Sequence, residues 1–291
     1  MKNLLILGAG TAGTMMANHL RSKLYLNKWN ITIVDQYKTH YYQPGFLFLP
    51  FDTYTEDQVK KVGKKFIPMG VNYIQKKIEK ILPEENKVKL EDETLDYDIL
   101  IIATGSKIAP EETEGLIGPL WKKDIFDFYT YEGSLALRNK LRDWEGGKLV
   151  VHITEMPIKC PVAPLEFSFL ADSYFRKKGM RDKVDITYVT PLTGAFTKPT
   201  CSTALAYLLK EKDIHMESDF AIEHVDNETK EIVDYEDRRI PFDLLVTIPT
   251  NMGDEVIAKS GLGDDLNFIP TDHNSLQSKA HENIFVIGDA T

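Results

Sequence analysis

Two short stretches of this chain hold residues whose types and spacing can do chemistry. The first is Gly8-Ala9-Gly10-Thr11-Ala12-Gly13, directly after the apolar run Leu4-Leu5-Ile6-Leu7. Between a strand and a helix, Gly8 permits the tight turn, Gly10 lets the backbone approach a pyrophosphate, and Gly13 lets the helix pack close to the sheet. The phosphates then meet free N–H groups at the helix start, around Thr11 and Ala12. A second apolar run, Ile31-Thr32-Ile33-Val34, ends on Asp35, where a carboxylate can accept hydrogen bonds from a ribose. This pattern predicts a dinucleotide site.

The second stretch is Thr154-Glu155-Met156-Pro157-Ile158-Lys159-Cys160-Pro161-Val162-Ala163-Pro164-Leu165-Glu166, after the apolar run Leu149-Val150-Val151-His152-Ile153. It occupies the place of a second nucleotide-binding turn, yet it has no glycine, and prolines stand where a pyrophosphate would need bare backbone. Pro164 suits a first helical position. A helix N-terminus favours the thiolate of a nearby cysteine, and Lys159 pushes the same way if it points inward. Cys160 is thus a candidate nucleophile; the bland alternative is a small packed hydrophobe. Glu166 is either an acid/base beside the sulfur or a favourable charge in a first helical turn. Cys201 reads as structural, at a helix start with Thr200 or Ser202 as cap. The seven histidines show no ligand spacing, so no metal is expected.

The elements that must position these residues follow from periodicity. Residues 1–35 read as βαβ. The Pro-punctuated apolar stretch from Tyr41 to Phe51 reads as a loop covering something flat. A helix is expected over 55–67, with the KKVGKK run on its solvated face. Leu95 to Ile102 reads as one buried strand running into the small-residue turn Ala103-Thr104-Gly105-Ser106. A helix at about 130–143, stopped by Gly146-Gly147, precedes a second βαβ pattern with strands at Leu149–Ile153 and Val184–Thr190. A helix at about 200–211, a hairpin at 219–240, a strand at 242–249 and a final strand-turn, Ile284 to Thr291, complete the chain. Continuous apolar runs alternating with helices argue α/β with parallel sheets.

At 291 residues, 43% apolar and 27% charged, the chain can build two full cores. Its 35 basic against 44 acidic residues give −9, with no basic patch, which argues against a nucleic-acid partner. Two cysteines make no disulfide framework, and no apolar run is long enough to span a bilayer. A glycine turn starting at residue 8 leaves no room for a targeting segment ahead of it, so a cytoplasmic location is expected.

The turns GAGTAG, YDILIIATGS and NIFVIGDA, in that order, resemble those of the glutathione-reductase-like flavoproteins. The resemblance implies two Rossmann-like βαβ domains and one FAD served by all three turns. It brings Thr104, Gly105, Gly288 and Asp289 to the cofactor beside Gly8, Gly10, Thr11, Ala12, Gly13 and Asp35, with Pro44 of the apolar loop touching it. The implied domains are 1–115, 116–259 without a GxGxxG, and 260–291 returning to the first. IKCPVAPLE further resembles the K-C-x-x-A-P-x-E signature of the sulfide:quinone oxidoreductase family, supported by FYTYEGSLALR and VTPL. That family implies an enzyme in which Cys160 handles sulfur beside the FAD and electrons pass to a quinone on the apolar-loop side. It also implies a peripheral place on the inner face of the cell membrane and a possible homo-oligomer. The family's second redox cysteine lies beyond the GD turn, so the chain reads as C-terminally truncated. A type II NADH:quinone oxidoreductase, and a non-catalytic subunit completed by a partner chain, are the rival readings.

Overall fold

The computed structural model describes residues 1–291. It divides into two compact units, Met1–Tyr42 with Lys60–Lys107 and Met252–Thr291, and Gln43–Val59 with Ile108–Asn251. These boundaries differ from 1–115, 116–259 and 260–291 chiefly in giving the apolar stretch after Tyr42 to the second unit.

The first unit is built on a five-stranded parallel sheet in the order Ile284–Val286, Ile99–Ile102, Lys2–Leu7, Trp29–Val34, Asn72–Ile74. Leu4 and Ile6 pack with Ile31, Ile33, Ile101 and helix residue Ala17 on one face. Leu5 and Leu7 pack with Val34, Leu100, Ile102 and Val286 on the other, under Ile81, Val88 and Leu90 of an antiparallel sheet. Burial on both faces is the reason these runs are continuously apolar. Residues 94–102 form two strands instead of one. Thr94–Asp96 joins the antiparallel sheet and Ile99–Ile102 joins the parallel one. The chain turns between them because Asp98 accepts the Asn3 N–H at 2.6 Å and the Tyr97 N–H reaches the Asn86 carbonyl.

The helix expected over 55–67 is also corrected. Only Glu56–Val59 is α-helical; Lys60–Val62 pairs antiparallel with Thr39–Tyr41, and Gly63–Phe66 is a 3-10 turn. The Gly63 N–H bonds the Lys38 carbonyl, so strand pairing outcompetes helix in this lysine-rich run.

The second unit repeats the architecture. Its parallel sheet runs Ile125–Phe126, Leu244–Ile248, Gly147–Ile153, Val184–Val189, Ile214–Glu217. Leu149, Val151, Ile186 and Val246 meet Leu137, Leu141, Phe167, Phe175 and Leu209 of the helices Tyr131–Asp143, Ala163–Lys177 and Pro199–Glu211. Val150 and Leu245 pack with Phe220 and with Val225 and Ile232 of a three-stranded antiparallel sheet, which adds a strand to the hairpin expected at 219–240. The apolar stretch after Tyr42 is not a loose loop. Gln43–Phe48 is a 3-10 helix, and Leu47 and Phe51 enter this unit's core, Phe51 lying 5.0 Å from the Phe167 ring.

Candidate functional site

In the first unit, three turns converge at the carboxyl end of the sheet. The order reverses between Lys2–Leu7 and Ile99–Ile102, the position where open α/β sheets bind ligands. Gly8 has φ +96°, and a Cβ there would stand 2.3 Å from the Ala103 carbonyl oxygen. A Cβ on Gly13 would stand 1.9 Å from the Gly8 oxygen, so the helix Thr11–Lys23 can approach only with glycine there. A Cβ on Gly288 would lie 2.9 Å from the Ala12 Cβ, which brings the last turn onto the first. Above this packed layer the space is open: Cβ atoms on Gly10 and Gly105 would meet nothing within 4 Å.

The turn's polar groups suit an anionic ligand. Gly10 is the N-cap, with no side-chain cap, so the N–H groups of Thr11, Ala12 and Gly13 have no intrahelical acceptor. The Thr104 Oγ1 is buried with no hydrogen-bond partner. Open backbone, unclaimed helix N–H groups and an orphaned hydroxyl fit a dinucleotide pyrophosphate. Asp35 accepts the Ala9 N–H on Oδ2 at 2.6 Å and the Tyr37 N–H on Oδ1 at 2.8 Å. Burial raises its carboxyl above the usual range, against the lowering effect of those two bonds. His40 donates from Nδ1 to the Ala9 carbonyl at 3.1 Å. Asp289 is exposed in the 3-10 turn Gly288–Ala290.

In the second unit, the Cys160 loop leaves the carboxyl end of Gly147–Ile153, beside Leu244–Ile248, where the strand order again reverses. The two loops after these strands are tied together: the Lys159 N–H donates to Asn251 Oδ1 at 3.1 Å, and the Thr154 Oγ1 to the Ile248 carbonyl at 3.0 Å. Tyr129 Oη donates to the Cys160 carbonyl at 2.7 Å. The thiol is free and exposed. The helix begins at Ala163, with Pro164 second instead of first, and Glu166 is exposed in its first turn. Lys159 Nζ reaches Gln43 Oε1 at 3.2 Å and lies 6.0 Å from the Tyr129 ring centre. Burial, reinforced by the charges of Cys160 and Glu166, pushes the Tyr129 phenol far above its usual range. Tyr129 thus holds the main chain of the cysteine chosen from sequence.

Pro44 falls in the second unit, exposed in its 3-10 helix. Cys201 is free and exposed in the first turn of Pro199–Glu211; Lys198 is the N-cap, so Thr200 and Ser202 lie inside the helix and do not cap it. Sequence reading missed His40, Tyr129, Gln43 and Asn251. Only Tyr129 carried a signal, in the FYTYEG segment, and it was a signal of resemblance without a role.

The profile of the family described as Pyridine nucleotide-disulphide oxidoreductase matches residues 2–152. The mitochondrial sulfide:quinone oxidoreductase of Dictyostelium discoideum is 27% identical over 295 residues, covering 99% of this chain. This chain spans 65% of that relative's length. A type II NADH:quinone oxidoreductase of Staphylococcus haemolyticus is 30% identical over 143 residues, 49% of this chain and 34% of its own. The crystal structure of the sulfide:quinone oxidoreductase from Aquifex aeolicus superposes with a TM-score of 0.86 at 22% identity, covering 100% of this chain and 69% of its own. The glycine turn, the two parallel sheets and a profile match over just more than half the sequence lead to one statement: the chain belongs to the pyridine nucleotide-disulphide oxidoreductase family.

Proposed function

We propose that this chain is the FAD-binding and sulfur-handling part of a sulfide:quinone oxidoreductase. The observation that carries the reading is the cysteine loop at the second sheet's switch point, where a nucleotide-binding turn would need glycine. Gly8, Gly10, Thr11, Ala12, Gly13, Asp35, Thr104, Gly105, Gly288 and Asp289 hold the FAD, Asp35 also supporting the turn. When bound, the flavin supplies a two-electron carrier between sulfide and quinone. Cys160 would form the S–S bond to the sulfide sulfur, a step that releases two protons and the electron pair that a bound flavin would carry to the quinone; Tyr129 and Asn251 hold its loop, and Glu166 takes a proton at the sulfur. No helix is long and apolar enough to cross a membrane. The reading assigns a peripheral place at the cytoplasmic face, where a lipid-soluble quinone is met.

The test is anaerobic mixing of the purified flavoprotein with sulfide and, separately, with NADH. Sulfide is expected to bleach the flavin and NADH to leave it oxidised. Cys160→Ser is expected to slow sulfide-dependent bleaching at least about a hundredfold, as removal of a nucleophile does, and Cys201→Ser to leave it within about twofold of the parent. Rapid bleaching by NADH would move the protein to the NADH:quinone class. Binding of FAD with no response to either donor would favour a non-catalytic subunit.

A further inference from the structure

We propose that His40 is a positioning residue for the phosphate-binding turn, clamping the Ala9 main chain together with Asp35 so that the N–H groups beyond it are aimed before any ligand arrives. The proposal rests on the FAD reading above and goes beyond the glycine fingerprint, which contains neither the histidine nor this use of the acid.

Ala9 is held at both of its main-chain polar atoms, one in each of the two peptide units that flank its Cα. Its N–H is taken by Asp35 Oδ2 at 2.6 Å and its carbonyl by His40 Nδ1 at 3.1 Å. A carbonyl oxygen can only accept, so Nδ1 carries the proton. His40 is itself fixed from two directions, one of them through Phe66. Its strand, Thr39–Tyr41, pairs with Lys60–Val62, placing it opposite Lys61. Its ring lies 4.5 Å from the Phe66 ring. The Phe66 carbonyl accepts from Asn18 Nδ2 at 2.9 Å, and Asn18 also bonds the Thr14 carbonyl at 2.8 Å. The clamp is therefore anchored to the same helix whose first N–H groups would receive the phosphates.

Asp35 has another consequence. Each of its oxygens already accepts a backbone N–H, from Ala9 and from Tyr37. Each oxygen keeps a second acceptor site, so the same carboxylate can fix the turn and still meet a ribose hydroxyl. Binding is tighter when the binding geometry exists beforehand, because the ligand need not order the loop.

The experiment titrates FAD into apoprotein of the parent, His40→Leu and His40→Gln, with melting temperatures as a control for folding. His40→Leu is expected to weaken FAD by about fivefold or more, the loss of roughly one hydrogen bond, and His40→Gln, which keeps a donor, to regain most of it. Equal affinity of parent and His40→Leu would overturn the proposal. If His40→Leu does not fold, His40→Met against His40→Gln gives the same comparison. If the parent binds no FAD, the flavin reading fails by itself. The clamp is then judged by amide exchange at Ala9 and Gly10, where acceleration by His40→Leu supports it and no change refutes it.

Discussion

Gly10 and Gly13 stand three residues apart and answer different demands. At Gly13 an added methyl would sit 1.9 Å from the Gly8 oxygen. Alanine gains about 1 kcal/mol of helix propensity over glycine, but overpacking a tight contact costs about 1–3 kcal/mol or more, so Gly13→Ala is expected to lower stability on balance. At Gly10 the space is open and φ is −71°, a value any residue adopts. Gly10→Val should therefore unfold at nearly the parent temperature and yet retain no flavin. Melting curves and bound-flavin absorbance, read together, separate the two roles. A second residue-scale prediction concerns His152, fully buried on the central strand of the second sheet. It has one bond, Nδ1 to Thr247 Oγ1 at 3.1 Å, and an unpartnered Nε2. Burial pushes its imidazole down to about 3. Below the unfolded value of about 6.5, the unfolded chain takes a proton that the folded one refuses. Stability is thus whole above that pH and falls as pH drops towards 3, at up to about 1.4 kcal/mol per unit. Urea unfolding of parent and His152→Gln between pH 7 and 5 should show a shallower pH slope in the variant.

Among the elements, the helix Ala163–Lys177 depends on a buried anion. Asp172 is 1% exposed and meets Arg176 at 2.9 Å, Arg181 at 2.8 Å and Lys212 at 3.3 Å, which hold its carboxyl below the usual range. Arg181 also donates to the carbonyls of Val184, Lys212 and Asp213. One carboxylate thereby ties the helix to the start of the Val184–Val189 strand and the end of the Pro199–Glu211 helix. Removing its charge strands cations beside a buried site, so Asp172→Asn is expected to cost about 3 kcal/mol, measured by chemical denaturation. Elements such as these were legible from sequence where both faces of a strand are buried or a helix has a clear end. The Tyr131–Asp143 helix has Thr130 as its cap, accepting from the Gly133 N–H at 2.9 Å. They were illegible where tertiary pairing overrides local propensity, as at Lys60–Val62, and where a polar residue breaks an apolar run, as at Asp98. In the site, glycines and the cysteine announce themselves by type. Tyr129, Asn251 and His40 do not, because their roles are bonds to backbone atoms far away in sequence.

At the scale of the whole molecule, one topology has been used twice with two different turns, glycine after the first strand of one sheet and cysteine after the middle strand of the other. The units are interleaved in sequence, with Gln43–Val59 and Ile108–Asn251 set between the three segments of the first. Deletion of Ile284–Thr291 removes an edge strand and the Gly288 turn that rests on Ala12. The deleted protein is expected to lose flavin and to yield a protease-resistant fragment from within 108–251, identified by mass spectrometry. The interleaving also sets an order of events on the ribosome. The second unit has all its residues once Asn251 has been translated, so the cysteine loop can reach its final form on the nascent chain. The first unit waits for Ile284–Val286 to pair with Ile99–Ile102, strands whose paired residues Leu100 and Ile284 are translated nearly two hundred positions apart. On the proposed reading, flavin loading is thereby held back until the Gly288 turn has been translated and comes to rest on Ala12.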